Sequence, residues 1–254
     1  MTGDADRIRE IASLLRYAQS AVAFTGAGMS TASGIPDFRS PKSGLWNNVD
    51  PMAVASIYGF RQNPRAFFDW VYPITAAAVK AQPNTAHLAL ARLESLNIIK
   101  AVITQNIDML HMRAGSRRIY ELHGHLREAT CTHCFRIYPG EPLLEKLMID
   151  REVPRCADCG GVIKPNVILF GEQLPHEVFH GAQDVAKRAD IMLVLGSSLE
   201  VAPASDLPML TWKNGGKVII VNLEPTPLDR IATVVVRQDV TKTVPALLEL
   251  LEQR

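Results

Sequence analysis

The sequence predicts an α/β fold in which a parallel β-sheet is covered by helices on both faces. Short, continuous apolar runs recur along the chain, and each is followed by a polar or glycine-containing turn. Such runs are typical of strands that are buried on both sides of a sheet. Segments with the helical spacing of apolar residues lie between the runs, and this alternation is what a sheet covered on both faces requires.

The first predicted element is a helix over residues 6–18, where apolar residues recur at helical spacing. A further helix is predicted over residues 84–96, with Asn84 or Thr85 capping its N-terminus. The predicted strands are Ala21–Thr25, Ile99–Thr104, Ile191–Leu195, Val218–Val221 and Val234–Val236. Ligands of such sheets bind beyond the carboxyl ends of the strands, so we expect the functional residues there.

Length and charge exclude several classes of protein. The 254 residues can form one large domain with an insertion or two modest domains. The 27 basic and 26 acidic residues give a net charge of +1, which argues against a nucleic-acid-binding surface over the whole protein. Charged residues interrupt the N-terminal segment, and the apolar runs are too short to span a bilayer. We therefore expect a soluble protein of the cytoplasm with no membrane partner and no specific nucleic-acid partner.

The four cysteines form two Cys-x-x-Cys pairs, and they predict a zinc site. The ligands would be Cys131, Cys134, Cys156 and Cys159. Each pair places two thiolates on one tight turn, and two turns complete a tetrahedron. Because four ligands leave no open coordination position, we interpret the metal as structural. A redox-active pair is the alternative, and His133 is a weaker candidate ligand that we expect at the surface.

Two stretches interrupt the rhythm of strands and helices. Residues 42–83 are rich in aromatic residues and proline, and residues 126–164 contain the cysteine pairs. We predict that these two insertions form a smaller module, helical in its first part and zinc-binding in its second. The remaining segments, 1–41, 84–125 and 165–254, would then form the domain that carries the parallel sheet.

Polar motifs follow three of the predicted strands. Gly26-x-Gly28 follows the first strand and lacks the usual G-x-G-x-x-G spacing, so it predicts either a pyrophosphate cradle at a helix start or a turn without a ligand. Thr104–Asp108 places amide and carboxylate groups after the second strand, and Gly196–Ser198 follows a later one. His123, in Glu121–Gly124, offers a base that titrates near neutral pH. Together these motifs indicate an enzyme that acts on NAD.

Taken in order along the chain, the motifs closely resemble those of the sirtuin family. The motifs are Gly-Ala-Gly-x-Ser at 26–30, Ser-Gly-Ile-Pro-Asp-Phe-Arg-Ser at 33–40, Thr-Gln-Asn-Ile-Asp at 104–108, Glu-Leu-His-Gly at 121–124, the paired Cys-x-x-Cys, Phe-Gly-Glu at 170–172 and Gly-Ser-Ser-Leu at 196–199. The resemblance covers the chain from about residue 7 to its C-terminus. It implies a Rossmann-like domain, a zinc module and NAD-dependent removal of acyl groups from protein lysines.

The resemblance also implies roles for individual residues. His123 would be the catalytic base and Asn106 a second catalytic residue. Residues 105–108 would hold the ribose and the nicotinamide carboxamide, with Asp108 accepting from the carboxamide NH2. The cofactor would be bound by Ala27, Gly28, Thr31, Phe38, Arg39, Gln105, Asn106, Ile107, Asp108, His123, Gly196, Ser197, Ser198, Asn222 and Val240. The acyl-lysine tunnel would be lined by Ile168 and Phe170.

The implied reaction is that of an NAD-dependent protein deacetylase. The acyl group of an acetylated protein or peptide would pass to ADP-ribose, with release of nicotinamide and 2′-O-acetyl-ADP-ribose, and the enzyme would act as a monomer. Phe68 and Val71 stand where succinyl-specific relatives carry a tyrosine and an arginine, so we expect a preference for acetyl-lysine. The alternatives are an ADP-ribosyltransferase or NAD hydrolase, and a non-catalytic NAD-sensing module.

Overall fold

The computed structural model describes residues 3–38 and 44–253, apart from the side chain of Asn48. Arg39, which the family resemblance assigns to the cofactor, lies outside the described residues. The strands of the described part are β1 (Ala21–Thr25), β2 (Ile99–Thr104), β3 (Ile119–Glu121), β4 (Gly124–Cys131), β5 (Ile137–Pro139), β6 (Ile163–Val167), β7 (Ile191–Leu195), β8 (Lys217–Val221) and β9 (Val234–Val236). Its α-helices are α1 (Asp4–Tyr17), α2 (Pro51–Val54), α3 (Ile57–Gln62), α4 (Pro64–Lys80), α5 (Thr85–Ser95), α6 (Leu110–Arg113), α7 (Gly140–Asp150), α8 (His176–Arg188), α9 (Leu207–Lys213) and α10 (Val240–Glu252).

Six strands form the parallel sheet that the apolar runs predict, in the order β3-β2-β1-β7-β8-β9. Strands β2 and β3 extend the sheet on one side of β1, and the later strands β7, β8 and β9 extend it on the other side. This is the strand order of a Rossmann fold, and it confirms the predicted class. The order reverses beside β1, so a crevice opens between the carboxyl ends of β1, β2 and β7.

Helices cover both faces of this sheet. On one face, α1, α5 and α10 contribute Ile11, Leu90 and Leu247 to a core that includes alternate residues of the strands. On the other face, α8 and α9 contribute Val185 and Leu207 to a second core. Because both faces are buried, each strand reads as a continuous apolar run in the sequence.

The start of α5 shows how a short motif ends a loop at a defined residue. The side-chain oxygen of Asn84 accepts hydrogen bonds from the backbone N–H groups of Ala86 and His87, at 3.0 and 3.3 Å. In return, Nδ1 of His87 accepts from the backbone N–H of Asn84 at 3.4 Å. These reciprocal bonds form a capping box, which satisfies backbone donors that the first turn leaves unpaired.

The two insertions pack on each other. The second sheet is antiparallel, has the order β5-β4-β6, and lies with α7 in the segment that contains the cysteines. Phe67 and Phe68 of α4 share one hydrophobic core with Leu126, Leu147 and Val167 from that segment. The strands β4 and β6 extend slightly beyond the predicted limits of 126 and 164.

The predicted strands are confirmed, with β8 beginning one residue earlier than expected. The parallel strand β3 is absent from the prediction, because its three residues are only half-buried and include a charged side chain. Among the described helices, none combines the length and the apolar character that a bilayer-spanning segment needs.

Candidate active site

The carboxyl ends of β1, β2 and β7 bring three of the predicted motifs together. Thr25 at the end of β1 lies opposite Thr104 of β2 and Leu195 of β7. The next residues continue the contact: the backbone N–H of Gly26 donates to the Leu195 carbonyl at 3.1 Å, and that of Gln105 donates to the Thr25 carbonyl at 3.0 Å. The functional motifs therefore converge on the crevice that the strand order predicts.

The glycines of the first motif allow two loops to touch. The backbone N–H of Gly28 donates to the Gly196 carbonyl at 2.9 Å. A Cβ on Gly28 would lie 2.9 Å from the Gly196 Cα, and a Cβ on Gly196 would lie 2.5 Å from the Met29 nitrogen. Gly196 also has a φ of 59°, which side chains other than glycine rarely adopt. The sequence left open a helix start or a simple turn here, and the loop continues as two short 3-10 turns, Ala27–Met29 and Thr31–Ser33.

A chain of hydrogen bonds, partly buried at Asn106 and buried at Asp108, connects these two residues through Ser30. Nδ2 of Asn106 donates to the Ser30 hydroxyl at 3.1 Å and to the Gly26 carbonyl at 3.0 Å. The Ser30 hydroxyl in turn donates to Oδ2 of Asp108 at 2.6 Å. Ser30 was not among the predicted site residues, although it is the last residue of the Gly-Ala-Gly-x-Ser motif. A serine two residues after the second glycine of that motif was the available signal.

The Asp108 carboxylate lies in a buried position, with 6% of the residue exposed. Burial raises its pKa, and the hydrogen bonds donated by the Ser30 hydroxyl and by the Leu110 backbone N–H act against that rise. The two donors keep one carboxylate oriented at the floor of the crevice. Such an oriented acceptor is suited to reading an amide NH2 group of a ligand.

The geometry around His123 defines the tautomer of its imidazole. Nδ1 lies 3.0 Å from the backbone carbonyl oxygen of Gln105. A carbonyl oxygen can only accept, so Nδ1 carries the proton and Nε2 has the lone pair of a base. The side chain of Gln105 donates from Nε2 to the Ser197 hydroxyl at 2.8 Å. Gln105 therefore connects the base with the motif that follows β7.

A second cluster of polar side chains consists of Thr25, Thr104 and His111. The Thr25 hydroxyl donates to the Thr104 hydroxyl at 2.8 Å and lies 2.9 Å from Nε2 of His111. The Thr104 hydroxyl accepts from the Asn106 backbone N–H at 3.0 Å, so the cluster supports the catalytic loop. Burial lowers the pKa of His111 to about 3 and that of His87 to about 4. Because their pKa values are so low, both buried rings are weak bases, and neither replaces His123 as the predicted base.

Of the two predicted substrate residues, Ile168 contacts His123 and Phe170 contacts the first insertion. The Ile168 backbone N–H donates to the His123 carbonyl at 2.9 Å, and the Phe170 backbone N–H donates to the Ala55 carbonyl at 2.9 Å. The Phe170 ring lies 6.1 Å from Trp46, and Trp46 stacks on Phe38 at 5.2 Å. The structure therefore brings Phe38, from the predicted cofactor set, and Phe170, from the predicted tunnel, to one aromatic cluster.

Three other predicted cofactor residues lie in the loops that follow β1, β7 and β8. The Thr31 hydroxyl donates to the Gly28 carbonyl at 3.2 Å, and Ser198 follows β7 in a half-buried position. Nδ2 of Asn222, just after β8, donates to the Glu224 carbonyl at 2.8 Å. Val240 differs from these, because its side chain is packed in the hydrophobic core beside α1 and α5.

The four predicted metal ligands form one cluster. Their Sγ atoms all lie within 4.8 Å of one another, with Cys131 and Cys159 at 3.5 Å and Cys134 and Cys156 at 3.6 Å. Zn–S bonds of about 2.3 Å in a tetrahedron require S···S separations of about 3.8 Å, so the residues present fit a zinc ion. The Tyr138 hydroxyl lies 3.0 Å from the Cys156 Sγ and adds a hydrogen bond to the cluster.

The cysteine cluster is remote from the base. β4 begins at Gly124, next to His123, and ends at Cys131. A strand rises about 3.3 Å per residue, so these ends are roughly 20 Å apart. That separation fits a metal that holds the small sheet together and takes no part in the reaction.

Comparison with known proteins identifies the family. A model described as the Sir2 family matches residues 26–203, which is more than half of the 254 residues. The chain therefore belongs to the Sir2 family, and the predicted resemblance to the sirtuins is confirmed. A relative from Archaeoglobus fulgidus, named NAD-dependent protein deacylase 2, is 47% identical over 245 residues and 96% of each chain is covered.

Solved structures agree with this assignment. A structure described as "Structural Basis for the Mechanism and Regulation of Sir2 Enzymes" matches with a TM-score of 0.92 and 46% identity over 98% of each chain. A crystal structure of Sir2 in complex with the inhibitor EX-527, 2′-O-acetyl-ADP-ribose and deacetylated p53 peptide matches with a TM-score of 0.85 and 42% identity. That match covers 95% of this chain and 97% of the other.

Proposed function

We propose that this chain is an NAD-dependent protein lysine deacetylase. It transfers the acetyl group of an acetyl-lysine to ADP-ribose and releases nicotinamide and 2′-O-acetyl-ADP-ribose. The observation that carries the proposal is the position of His123 in the crevice. Its Nδ1 forms a hydrogen bond with the Gln105 carbonyl, and its own carbonyl accepts one from the Ile168 N–H. The hydrogen bonds that join Asn106, Ser30 and Asp108 lie in the loops after β1 and β2.

The residues of the crevice fit NAD as the co-substrate. When bound, NAD supplies a ribose carbon whose bond to nicotinamide is broken in the reaction. Asp108 offers a buried carboxylate to the carboxamide NH2, and Asn106 and Gln105 orient the ribose. The touching glycine loops of residues 26–28 and 196–198 hold the diphosphate and the adenosine half. The proposed set also includes Thr31, Phe38, Arg39, Ile107, Asn222 and Val240.

His123 is the proposed general base of the acyl transfer. The Gln105 carbonyl holds the proton on Nδ1, which directs the basic Nε2 toward the crevice. Nε2 would accept a proton from a ribose hydroxyl. The oxygen of that hydroxyl would bond to the acyl carbon while the bond from this carbon to the lysine nitrogen breaks, and the lysine would leave as the free amine. Ile168 and Phe170 place the acyl-lysine against this base, because Ile168 is bonded to the His123 backbone.

The zinc ion of the small module has a structural role in this proposal. We place the module at segments 42–83 and 126–164, and the NAD-binding domain at 1–41, 84–125 and 165–254. The shared core of Phe67, Phe68, Leu126 and Leu147 supports this division. Cys131, Cys134, Cys156 and Cys159 would hold the zinc.

The acyl group preferred in this proposal is acetyl. Phe68 and Val71 are apolar and buried, with 2% and 6% of each residue exposed. Neither can pair with a carboxylate, and burying an unpaired charge is costly. Short neutral acyl groups such as propionyl are accepted, and succinyl is rejected.

We further propose that the enzyme works as a monomer in the cytoplasm, without a specific nucleic-acid partner. The 27 basic and 26 acidic residues leave a net charge of only +1, which offers little positive charge for a nucleic acid. The four cysteines are free thiols placed for a metal, an arrangement that suits a reducing compartment.

Quantitative mass spectrometry tests the reaction. An acetyl-lysine peptide is incubated with the protein and NAD, and the deacetylated peptide, nicotinamide and O-acetyl-ADP-ribose are measured. The proposal predicts equal amounts of the three products and no turnover of the same peptide without its acetyl group. Nicotinamide release accompanied by an ADP-ribosylated peptide, with no O-acetyl product, would identify an ADP-ribosyltransferase instead.

A further inference from the structure

A partly buried ion pair lies beside the strand segment that carries the predicted substrate residues. Nζ of Lys164, in β6, lies 3.0 Å from Oε2 of Glu172, and only 12% and 24% of the two side chains are exposed. By contrast, the Arg65–Asp69 pair on α4 is 58% and 54% exposed. Burial lowers the pKa of Lys164, and the Glu172 carboxylate opposes this change.

Both ions also bond to the backbone between them. Nζ of Lys164 donates to the Val167 carbonyl at 2.7 Å. The Leu169 backbone N–H donates to Oε2 of Glu172 at 2.8 Å. The pair therefore bonds to one edge of the extended segment 167–169 at two points.

The opposite edge of this segment faces the catalytic base. Backbone groups of neighbouring residues in an extended strand point to opposite edges. The Ile168 and Phe170 N–H groups accordingly bond to His123 and Ala55, on the edge away from the ion pair. The segment is thus fixed on one edge by Lys164 and Glu172 and on the other by the residue that supplies the base.

Stability alone is a weak explanation for this pair. A buried ion pair is often no more stabilising than apolar residues of similar volume, because both charges lose their water. The pair also orients the backbone, because the Lys164 ammonium binds the Val167 carbonyl and the Glu172 carboxylate binds the N–H of Leu169, two residues further on. Each bond fixes the rotation of the segment that presents Ile168 and Phe170.

We propose that the Lys164–Glu172 pair is a positioning element for the acyl-lysine. It holds Ile168 in register with His123, so that the acyl group enters at the correct distance from the base. The inference rests on the proposed deacetylase function. The pair acts through the backbone and touches neither the cofactor site at Ser30 and Asp108 nor the metal ligands. Its loss should therefore affect the peptide and leave NAD largely unaffected.

Three variants test the pair. Lys164→Met removes the donor to Val167, Glu172→Gln keeps an acceptor for Leu169 but removes the charge, and the double variant leaves no unpaired charge. The Michaelis constants for peptide and NAD, kcat, the dissociation constant of an acetyl-lysine peptide and the thermal midpoint are measured for each. Arg65→Met with Asp69→Asn, which removes the exposed pair, is the control.

The proposal predicts a separation of stability from peptide recognition. Each single variant should raise the peptide KM and Kd about 10-fold or more, with the NAD KM within about twofold of wild type. The double variant should recover most of the thermal midpoint and retain the weak peptide binding. Recovery of both quantities together would show that the pair is only structural and would overturn the proposal, as would an equal rise in the NAD KM.

The wild-type protein separates this inference from the proposed function. If wild type does not deacetylate the peptide, the deacetylase assignment fails. If wild type is active and the variants bind peptide normally, only the positioning role fails.

Discussion

Replacement of Ser30 by alanine is the most informative perturbation of the cofactor site. The Ser30 hydroxyl is buried, donates to Asp108 at 2.6 Å and accepts from Asn106 at 3.1 Å. Ser30→Ala removes both bonds while adding no bulk. Asp108 then keeps only the Leu110 N–H among the donors described above, and Nδ2 of Asn106 keeps the Gly26 carbonyl.

The magnitude follows from the charged acceptor. A hydrogen bond to a charged group contributes about 1.5–3 kcal/mol, more than one between neutral groups. Each 1.4 kcal/mol corresponds to about a factor of ten. If the bond is needed to keep Asp108 oriented toward the carboxamide, kcat/KM for NAD should fall about 10- to 150-fold. The peptide KM should change much less, because Ser30 bonds to Asp108 and Asn106, which are proposed to hold the cofactor.

The pH dependence gives a second signature with a defined sign. Burial raises the pKa of Asp108 in the folded protein, and the Ser30 hydroxyl bond lowers it. Ser30→Ala should therefore raise this pKa further and move the acidic limb of the NAD kcat/KM profile to higher pH. Since the folded protein then binds the proton more tightly than the unfolded chain, the stability deficit should grow as pH rises through the folded pKa.

Steady-state kinetics from about pH 5 to 8 and thermal unfolding over the same range make these measurements. Ser116→Ala is the matched control, because Ser116 is also buried and its hydroxyl has no partner among the described residues. The control should stay within about twofold of wild type. A Ser30→Ala enzyme with a wild-type kcat/KM for NAD and an unmoved acidic limb would refute the reasoning.

Three further predictions concern the other parts of the site. Asp108→Asn and Asn106→Ala should each abolish most NAD-dependent turnover. Only Asp108→Asn should also weaken inhibition by added nicotinamide, which is measured as the inhibition constant. Equal inhibition constants in both variants would contradict the carboxamide role of Asp108. Cys131→Ser should lower the zinc content from about one ion per chain and destabilise the fold, because metal binding contributes to folding. Metal analysis and calorimetry measure the two effects. Full stability in a zinc-free preparation would contradict this prediction. Initial rates on one peptide should fall in the order acetyl-, propionyl- and succinyl-lysine, and succinyl is rejected because Phe68 and Val71 cannot neutralise its carboxylate. A succinyl rate equal to the acetyl rate would show the pocket assignment to be wrong.

The sequence predicted those features that depend on local pattern. The buried strands were predictable because two covered faces produce unbroken apolar runs, and Asn84 was predictable as a cap because its amide satisfies helix donors. β3 was not predictable, because its three residues depend on pairing with β2 rather than on their own apolar content. The resemblance to the sirtuins supplied the roles of His123 and Asp108, which periodicity alone does not assign.

Contacts between distant or polar residues were the part that the sequence could not show. Ser30 lies 78 positions from Asp108, and only the fold brings its hydroxyl to the carboxylate. Lys164 and Glu172 are close in sequence, but charged residues usually face solvent, so their burial depends on packing of the small module. The glycines of the first motif predicted a close approach to a pyrophosphate. The sequence did not show that the Gly196 backbone would also lie against them, so that a Cβ on Gly26 or Gly28 would come within 2.8 or 2.9 Å of Gly196 atoms.

The most direct test compares wild type with His123→Ala on an acetyl-lysine peptide. Deacetylated peptide and O-acetyl-ADP-ribose are measured by mass spectrometry, and NAD binding is measured by titration calorimetry. The account predicts that wild type forms both products only when NAD is present. His123→Ala should bind NAD within a few-fold of wild type and form neither product, because the change removes a proton acceptor and leaves the other cofactor contacts in place. Turnover by His123→Ala near the wild-type rate would contradict the assignment of the base.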